Sequence, residues 1–367
     1  MILINGRFFS RRPTGVYRFA IEVITAIDNL LAVKDSAVGE MDFRILLPPG
    51  VKPERQFLHI PIKTLGRLTG QLWEQLELPQ AVPRDGLLLN FCNTGPVLTR
   101  QQIVAIHDAA TVKMPMAYSR AFRYWYCILL PMLGLISRKV LTVSEFSKQE
   151  IASSFMVPRD KISVVKSSGE HICRFMADTK AIQRFGLSKR PYVLAVSSLA
   201  AHKNFRLILD TITHLENPPF DIAIAGGVSS LVFGKADKKE YQHVKWLGYV
   251  SDTELRALYE SAMCFVFPSL YEGFGLPPLE AMHCGCPVLA SLAASIPEVC
   301  GDAALYFDPY KAEELAVLLM RVANDSSLCA ELIQKGYARA AEFSWDKTAR
   351  EIVSQISTVC NLQHFHL

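Results

Sequence analysis

Short, β-rich apolar runs that do not alternate with polar residues recur along both halves of this 367-residue chain. Runs of this kind are typical of strands that are buried on both faces of a parallel sheet. Six lie in the first half, at residues 2–4, 43–47, 87–91, 103–106, 140–143 and 162–165. Six more lie in the second half, at residues 192–196, 221–225, 244–247, 264–267, 287–290 and 305–307.

Amphipathic helical patterns separate many of these runs. Apolar residues follow the i, i+3, i+4, i+7 rule over 16–27 and 315–322. Ser251 and Glu254 have the spacing of a capping box, and Asp308 before Pro309 predicts another helix start. This alternation predicts the α/β class, with two Rossmann-like, doubly wound domains.

The pattern weakens after the run at 162–165, and a polar stretch precedes the run at 192–196. We therefore expect the domain boundary within residues 167–190. A last helical pattern covers about residues 347–360 and predicts a terminal helix.

Composition and charge exclude several classes of protein. Apolar residues make up 50% of the chain and charged residues 20%, so the chain is not disordered. No apolar run reaches the roughly 20 residues that span a bilayer, and the first residues carry charge after apolar residues, the reverse of a secretory signal. Nine scattered cysteines suit a reducing compartment, so we expect a cytoplasmic protein.

The two halves differ in charge. Residues 1–170 contain 21 Lys and Arg against 14 Asp and Glu, whereas residues 171–367 contain 18 against 21. The basic half suggests an anionic partner: a phosphorylated substrate, lipid headgroups or nucleic acid. No zinc finger or dense basic run is present, so nucleic acid is the least favoured.

Residues 268–298 carry the most specific signal. The run at 264–267 leads into the glycine loop 272–275, and Pro277 and Pro278 suit the first turn of a following helix, which Gly285 ends. A strand, a glycine loop and a helix N-terminus in this order suit a phosphate. Because one carboxylate lies in the loop and the other in the helix, Glu272 and Glu280 are expected at different depths of one crevice.

This string resembles the donor site of retaining glycosyltransferases of family four, which carry Glu, seven residues and Glu within EGFGLPxLEAMAxGxPV. Further blocks of the chain resemble the same family at residues 14–18, 105–108, 141–148, 196–204, 246–250 and 296–303. The resemblance implies the GT-B fold, in which two Rossmann-like domains face a cleft. It implies an acceptor domain at 1–170, a nucleotide-sugar domain at 171–345 and, at 346–367, a helix that returns to the first domain.

The resemblance also implies roles. His107, Glu272 and Lys203 are expected to be catalytic, with Lys203 on the donor diphosphate and Glu272 on the sugar hydroxyls. Glu280 is expected to hold the ribose, and Gly15 leaves room for the sugar phosphate. The full donor-binding set is Gly15, Ser198, His202, Lys203, Tyr249, Val250, Glu272, Gly273, Phe274, Gly275, Leu276 and Glu280.

Two departures from the family pattern concern residues near the predicted site. His202 stands where the family usually has Arg, which puts clamping by two permanent cations in doubt. Gly169 is kept, but its neighbours differ from the family's Asn-Gly-Val-Asp, and no role is assigned to it. The chain has no Asp-x-Asp, so catalysis without a metal or other cofactor is expected.

The predicted activity is transfer of a hexose, with retention, from a nucleotide-sugar to a glycan or lipid-linked saccharide in surface polysaccharide synthesis. Resemblance to bacterial polysaccharide mannosyl- and rhamnosyltransferases favours GDP-mannose over UDP-linked donors. The alternatives are a UDP-sugar transferase, an epimerase or phosphorylase of the same fold, and a non-catalytic sugar-nucleotide-binding partner subunit.

Residues 118–139 are rich in aromatic and apolar side chains and are flanked by Arg120, Arg123, Arg138 and Lys139. Two interpretations remain open. The segment is either a core helix with a kink at Pro131 or a peripheral surface for the anionic inner face of the plasma membrane or a lipid-linked acceptor.

Overall fold

A computed structural model describes residues 1–10, 14–196, 200–226 and 243–364. It divides into two compact units. Unit 1 comprises Met1–Ser167 with Trp345–Leu367, and unit 2 comprises Ser168–Ser344.

Unit 1 contains a seven-stranded parallel sheet in the order β3-β2-β1-β4-β5-β6-β7. Its strands are β1 Ile2–Asn5, β2 Phe43–Leu47, β3 Ile62–Thr64, β4 Leu87–Asn90, β5 Gln102–Ala105, β6 Lys139–Thr142 and β7 Ile162–Val164. Its helices are α1 Gly15–Ala32, α2 Gly70–Leu72, α3 Ala110–Lys113, α4 Arg120–Ile136, α5 Glu145–Phe155 and the terminal helix Trp345–His364.

Unit 2 contains a six-stranded parallel sheet in the order β10-β9-β8-β11-β12-β13. Its strands are β8 Tyr192–Val196, β9 Asp221–Ala225, β10 Val244–Gly248, β11 Cys264–Phe267, β12 Val288–Ser291 and β13 Ala304–Phe307. Its helices are α6 Lys180–Arg184, α7 Phe205–Ile212, α8 Asp252–Ser261, α9 Leu276–His283, α10 Ile296–Cys300, α11 Ala312–Asn324 and α12 Ser326–Ala340. The terminal helix of unit 1 is therefore α13.

Short helical turns complete both units. They are the 3-10 turns Gly6–Ser10, Leu78–Ala81, Pro115–Ala117, Arg159–Lys161, Glu170–Arg174 and Ala201–Lys203 and the π-helical turn Trp73–Glu77.

All twelve apolar runs coincide with strands. Six of these strands, β1, β4, β5, β9, β11 and β12, are buried at every position, as expected for the interior of a parallel sheet. The α/β class with two Rossmann-like units is thus confirmed. β3 was not predicted, since it has three residues, none of them buried.

The helix starts were predicted with mixed success. The capping box at Ser251 and Glu254 is present, with both reciprocal hydrogen bonds. The start at Asp308 is wrong. The Asp308 carboxylate accepts from the N–H of Tyr310 in a turn at 2.9 Å, and α11 begins only at Ala312.

The terminal helix α13 packs on α1 within unit 1. The Trp345 and Phe19 rings meet edge to face, with centroids 6.1 Å apart. Arg350 donates to both carboxylate oxygens of Asp35, at 3.0 and 2.9 Å. In the described part of the chain, no helix has both the length and the apolar character required to cross a membrane.

Candidate donor site and its surroundings

The strand order of unit 2 reverses at β8, which lies between β9 and β11. Ligands of doubly wound sheets bind beyond the carboxyl ends of the strands at such a switch point. The turn after β8 carries Lys203, and the loop after β11 carries Glu272. The Lys203 ammonium donates to Glu272 Oε1 at 2.7 Å, and their side chains are 18% and 12% exposed. The fold therefore brings together two predicted catalytic residues that are 69 positions apart.

Two polar side chains hold this loop. Asn204, in the left-handed region with φ 56°, donates to the carbonyls of Pro268 at 3.2 Å and Pro309 at 2.7 Å. The Ser295 hydroxyl lies 2.9 Å from the carbonyl oxygens of both Glu272 and Phe274 and shares its single proton between them. The sequence did not reveal either role, because these bonds span between 21 and 105 positions.

Helix α9 begins directly after the glycine loop. Gly275 has φ 107°, a conformation that residues with a side chain rarely adopt. Pro277 and Pro278 have no N–H, so the first turn offers a ligand fewer donors than an ordinary helix. An anion at this end would draw mainly on the N–H groups of Gly275 and Leu276, in line with the predicted donor set.

His202 is 9% exposed and precedes Lys203. Burial and the neighbouring ammonium lower the pKa of His202 to about 4. The imidazole is therefore neutral at pH 7. The positive charge of these two positions is that of Lys203, so His202 does not replace the charge of the family's Arg.

Glu280 lies within α9 and is 8% exposed. Its Oε2 accepts from the Tyr259 hydroxyl at 3.1 Å, and its Oε1 lies 3.1 Å from His171 Nε2. These two partners were not predicted. Gly169 explains how His171 reaches the helix: a Cβ on Gly169 would lie 2.6 Å from the backbone N of Glu280.

His107 follows β5 in unit 1 and is 6% exposed. Its Nε2 lies 2.8 Å from the carbonyl oxygen of Phe91, which can only accept, so Nε2 carries a proton. Its ring meets Phe19 edge to face at 4.8 Å. Burial lowers the pKa of His107 to about 4, so the side chain is neutral at pH 7.

Unit 1 has its own cavity at its own switch point, where β1 lies between β2 and β4. The cavity has a volume of about 310 Å³. Aromatic side chains dominate its wall, and Asn93, Asp108 and Thr111 add polar groups. Its aromatic residues are Phe8, Tyr17, Tyr118, Phe122 and Tyr126. Gly15 is the first residue of α1, next to Thr14, which caps that helix and lines the cavity.

The remaining predicted site residues differ in how exposed they are. Tyr249 is 79% exposed and Val250 is half-buried, both after β10. Gly273 lies in the loop between Glu272 and Phe274, which is buried. Ser198 lies outside the described residues. Within the described ranges no group of three His, Cys, Asp or Glu side chains is placed to hold a metal, and metal independence stays a prediction.

The segment around these loops matches a known family. Residues 178–339, which carry Lys203, Glu272 and Glu280, match the family described as Glycosyl transferases group 1. This segment belongs to that family. The resemblance seen in the sequence is confirmed.

Two curated relatives of the chain illustrate the range of similarity. O-antigen chain mannosyltransferase B of Escherichia coli is 33% identical over 228 residues, which cover 59% of this chain and 60% of that relative. O-antigen chain mannosyltransferase RfbU of Salmonella typhimurium is 26% identical over 320 residues, 84% of this chain and 87% of that relative. The chain thus matches somewhat less than two thirds of the length of the first of them.

Solved structures share the fold over both units. Anabaena Alr3699/HepE, crystallised in complex with UDP and glucose, has a TM-score of 0.73 and 17% identity, with 97% of this chain and 99% of that chain covered. The similarity supports the predicted GT-B class of the glycosyltransferase fold.

Proposed function

We propose that this chain is a retaining, metal-independent glycosyltransferase that transfers a hexose from a nucleotide-sugar to a glycan or lipid-linked saccharide in surface polysaccharide synthesis. The observation that carries the proposal is the Lys203–Glu272 pair at the switch point of unit 2, within the segment of the glycosyltransferase family. The mannosyltransferase relatives favour mannose as the transferred hexose, and the donor in this proposal is GDP-mannose.

Lys203 is the centre of the proposed donor site. An ammonium has three N–H groups, and only one is needed for Glu272. The other two are available to the donor diphosphate, where the positive charge stabilises the charge that develops on the leaving group. Glu272 then binds the sugar hydroxyls beside the diphosphate.

Glu280 is the proposed ribose ligand. Tyr259 and His171 contact its two carboxylate oxygens. A carboxylate can accept hydrogen bonds from both hydroxyls of a ribose diol, which is the basis of the proposed role. Tyr259 and His171 then act as positioning residues, because they hold the carboxylate in one orientation.

The proposed chemical step is front-side displacement. The acceptor oxygen bonds to the anomeric carbon on the face from which the diphosphate departs, and a donor phosphate oxygen takes the proton of the acceptor hydroxyl. The anomeric configuration is retained. His107 stays neutral in this scheme, and its Nδ1 serves as a hydrogen-bond acceptor for the transferred sugar because Nε2 is bonded to Phe91.

The cavity of unit 1 is the proposed acceptor site. Aromatic rings stack on the apolar faces of pyranoses, and Asn93 and Asp108 offer polar groups to sugar hydroxyls. The Tyr118 and Phe122 rings are stacked, 5.4 Å apart and within 6° of parallel, so they form a preorganised aromatic surface.

The first test is thermal unfolding of the wild type and Glu280→Ala with GDP, UDP, ADP or dTDP. A nucleotide at about 100 times its dissociation constant stabilises the folded state by roughly 2.7 kcal/mol. We expect a shift with GDP that is lost in the variant. A shift with UDP alone would favour the second candidate, a UDP-sugar transferase, in line with the UDP complex of the Anabaena neighbour.

The second test separates an enzyme from a non-catalytic nucleotide-binding subunit. The purified protein is incubated with the preferred nucleotide-sugar, polysaccharide acceptor fragments and EDTA, and the anomeric proton of the product is recorded by NMR. We expect turnover in EDTA with the anomeric configuration of the donor. Nucleotide binding without turnover on any acceptor would contradict the proposed activity.

A further inference from the structure

Helix α4 of unit 1 has two apolar faces. One is buried in the core of the unit through Tyr126, Leu129, Leu130 and Leu133. The opposite side is also apolar but exposed. We call it the α4 stripe, and it consists of Tyr124, Trp125, Ile128, Met132 and Leu135, which are 69%, 41%, 62%, 41% and 53% exposed.

The stripe is continuous because its members recur every three or four residues along one side of the helix. An ordinary surface helix would carry polar residues there. Contiguous exposed apolar surface on a soluble domain marks an interaction site. The core-helix interpretation of residues 118–139 therefore accounts for only one side of α4.

The charged residues of the segment that contains the stripe all have one sign. Residues 109–144 contain five Lys and Arg and no Asp or Glu. Arg120 and Arg123 lie at the start of α4, and Arg138 and Lys139 follow its end.

Among the residues that the structure describes, most of this charge is not paired with a carboxylate. Arg138 donates to the amide oxygen of Gln101 at 3.0 Å, and Lys139 donates to the carbonyl of Asp160 at 3.0 Å. Arg138 also lines a shallow depression together with Arg100 and Lys161. Lys113 differs, because it pairs with Glu150 at 3.0 Å.

We propose that the α4 stripe binds the surface of an anionic lipid bilayer, with its aromatic and aliphatic side chains at the boundary between headgroups and acyl chains. Tyr and Trp beside aliphatic residues suit that boundary, and basic residues at both ends of the helix attract anionic headgroups. At 17 residues, or about 25 Å, α4 lies on the bilayer rather than across it.

The same helix connects this surface to the cavity of unit 1. Phe122, Tyr126 and Leu130 of α4 line that cavity. A bilayer in contact with the stripe would bring lipid-linked saccharides close to the cavity. This consequence rests on the proposed function, whereas bilayer binding itself does not.

The test is flotation of the purified full chain with vesicles of phosphatidylcholine alone or mixed with phosphatidylglycerol, at low and high salt. We expect binding to the anionic vesicles that weakens with salt, and little binding to the neutral ones. Ile128→Glu should weaken binding roughly tenfold or more, because it places a charge in the apolar contact. Val317→Glu is the matched control, since Val317 is an equally exposed, β-branched residue inside α11 of unit 2, at 66%.

A second readout follows the stripe directly. In a Trp246→Phe background Trp125 is the exposed tryptophan, because Trp73 and Trp345 are buried. Tryptophan fluorescence of this variant should shift to shorter wavelength with anionic vesicles. Absence of binding to anionic vesicles at low salt, or equal binding by Ile128→Glu and Val317→Glu, would overturn the proposal. So would a dimer in sedimentation equilibrium that Ile128→Glu dissociates, because a second copy would then cover the stripe. The Ile128→Glu variant should keep the thermal shift with nucleotide, which shows that it is folded. Vesicle binding and nucleotide binding are thus measured independently, and failure of one does not decide the other.

Discussion

The two sheets place charged pairs at equivalent points of their topology but use them differently. Beyond the switch point of unit 1, Arg7 and Glu74 form an ion pair at 2.9 Å with side chains 6% and 0% exposed. Beyond that of unit 2, the Lys203–Glu272 pair is partly exposed. Burial decides the difference. A buried ion pair is out of reach of a ligand and serves the structure alone. A partly exposed pair can exchange one of its partners for a ligand.

The buried pair of unit 1 belongs to a saturated network. Glu74 also accepts from Asn5 at 2.7 Å and from Thr94 at 2.5 Å, and Arg7 donates to Thr94 at 2.9 Å. Asn5 further donates to Asn90 at 2.9 Å. These bonds tie the ends of β1 and β4 to the loops that shape the unit 1 cavity.

The largest expected effect is on this network. Glu74→Ala leaves the Arg7 guanidinium buried without its carboxylate, and breaking a buried pair costs about 3–5 kcal/mol of the free energy of unfolding. Urea denaturation measures the loss. Lys311→Ala removes half of an exposed pair with Glu314 and should leave the unfolding midpoint unchanged. Equal stability of the two variants would contradict the structural role of the buried pair.

Lys203→Ala should lower activity and leave stability nearly unchanged, whereas Glu74→Ala should lower stability. Removal of an electrostatic stabiliser of a developing charge typically lowers kcat about 10²–10³-fold. The unfolding free energy should change little, because the side chain is partly exposed. Steady-state kinetics checks the loss of kcat, and urea denaturation of the same preparation checks the free energy of unfolding. A large loss of stability with unchanged turnover would show that the Lys203–Glu272 pair has a structural role, like the Arg7–Glu74 pair.

The pH dependence of stability tests whether His107 of unit 1 is buried in its neutral form. The pKa of His107 is about 4 in the folded chain and about 6.5 when unfolded, so the unfolded state binds the proton first as pH falls. Stability should therefore decrease between pH 6.5 and pH 4, by about 3 kcal/mol from this group, and level off below. His107→Gln keeps a donor for Phe91 and should show a flatter pH dependence in urea denaturation. An unchanged slope would contradict the buried neutral state.

The smallest effect concerns Gly169 in unit 2. Its φ is −93°, so alanine is not strained there, but the added Cβ lies 2.6 Å from the backbone of α9. We expect a loss of about 1–3 kcal/mol and weaker nucleotide binding, because Glu280 must shift. Gly50→Ala is the control: its φ of 76° strains alanine, but nothing lies within 4 Å. It should affect stability only, as judged by thermal shifts with and without GDP.

Local patterns predicted much of this chain. The apolar runs gave twelve strands and the capping box gave a helix start, because both depend on residues that are close in sequence. β3 was missed because a short, exposed strand has no apolar run. Asp308 failed because a carboxylate before a proline can close a turn as well as cap a helix.

The site was predicted less completely than the fold. The spacing within residues 268–298 identified Glu272 and Glu280 as candidate site residues. The resemblance to the family identified Lys203 and His107. Neither indicated that Ser295 and Asn204 hold the loop, that Tyr259 and His171 hold Glu280, or why Gly169 must be small.

The sequence by itself determined the class of the fold, the positions of twelve strands and the loop-and-helix motif within residues 268–298, because hydrophobic period, turn residues and helix caps act over a few neighbouring residues. Only the tertiary structure decided which carboxylate meets which partner, which pair is buried and which side of α4 stays exposed. Hydrogen bonds and burial depend on residues that are tens to hundreds of positions apart, so their partners follow from the packing of the sheets and helices rather than from local sequence.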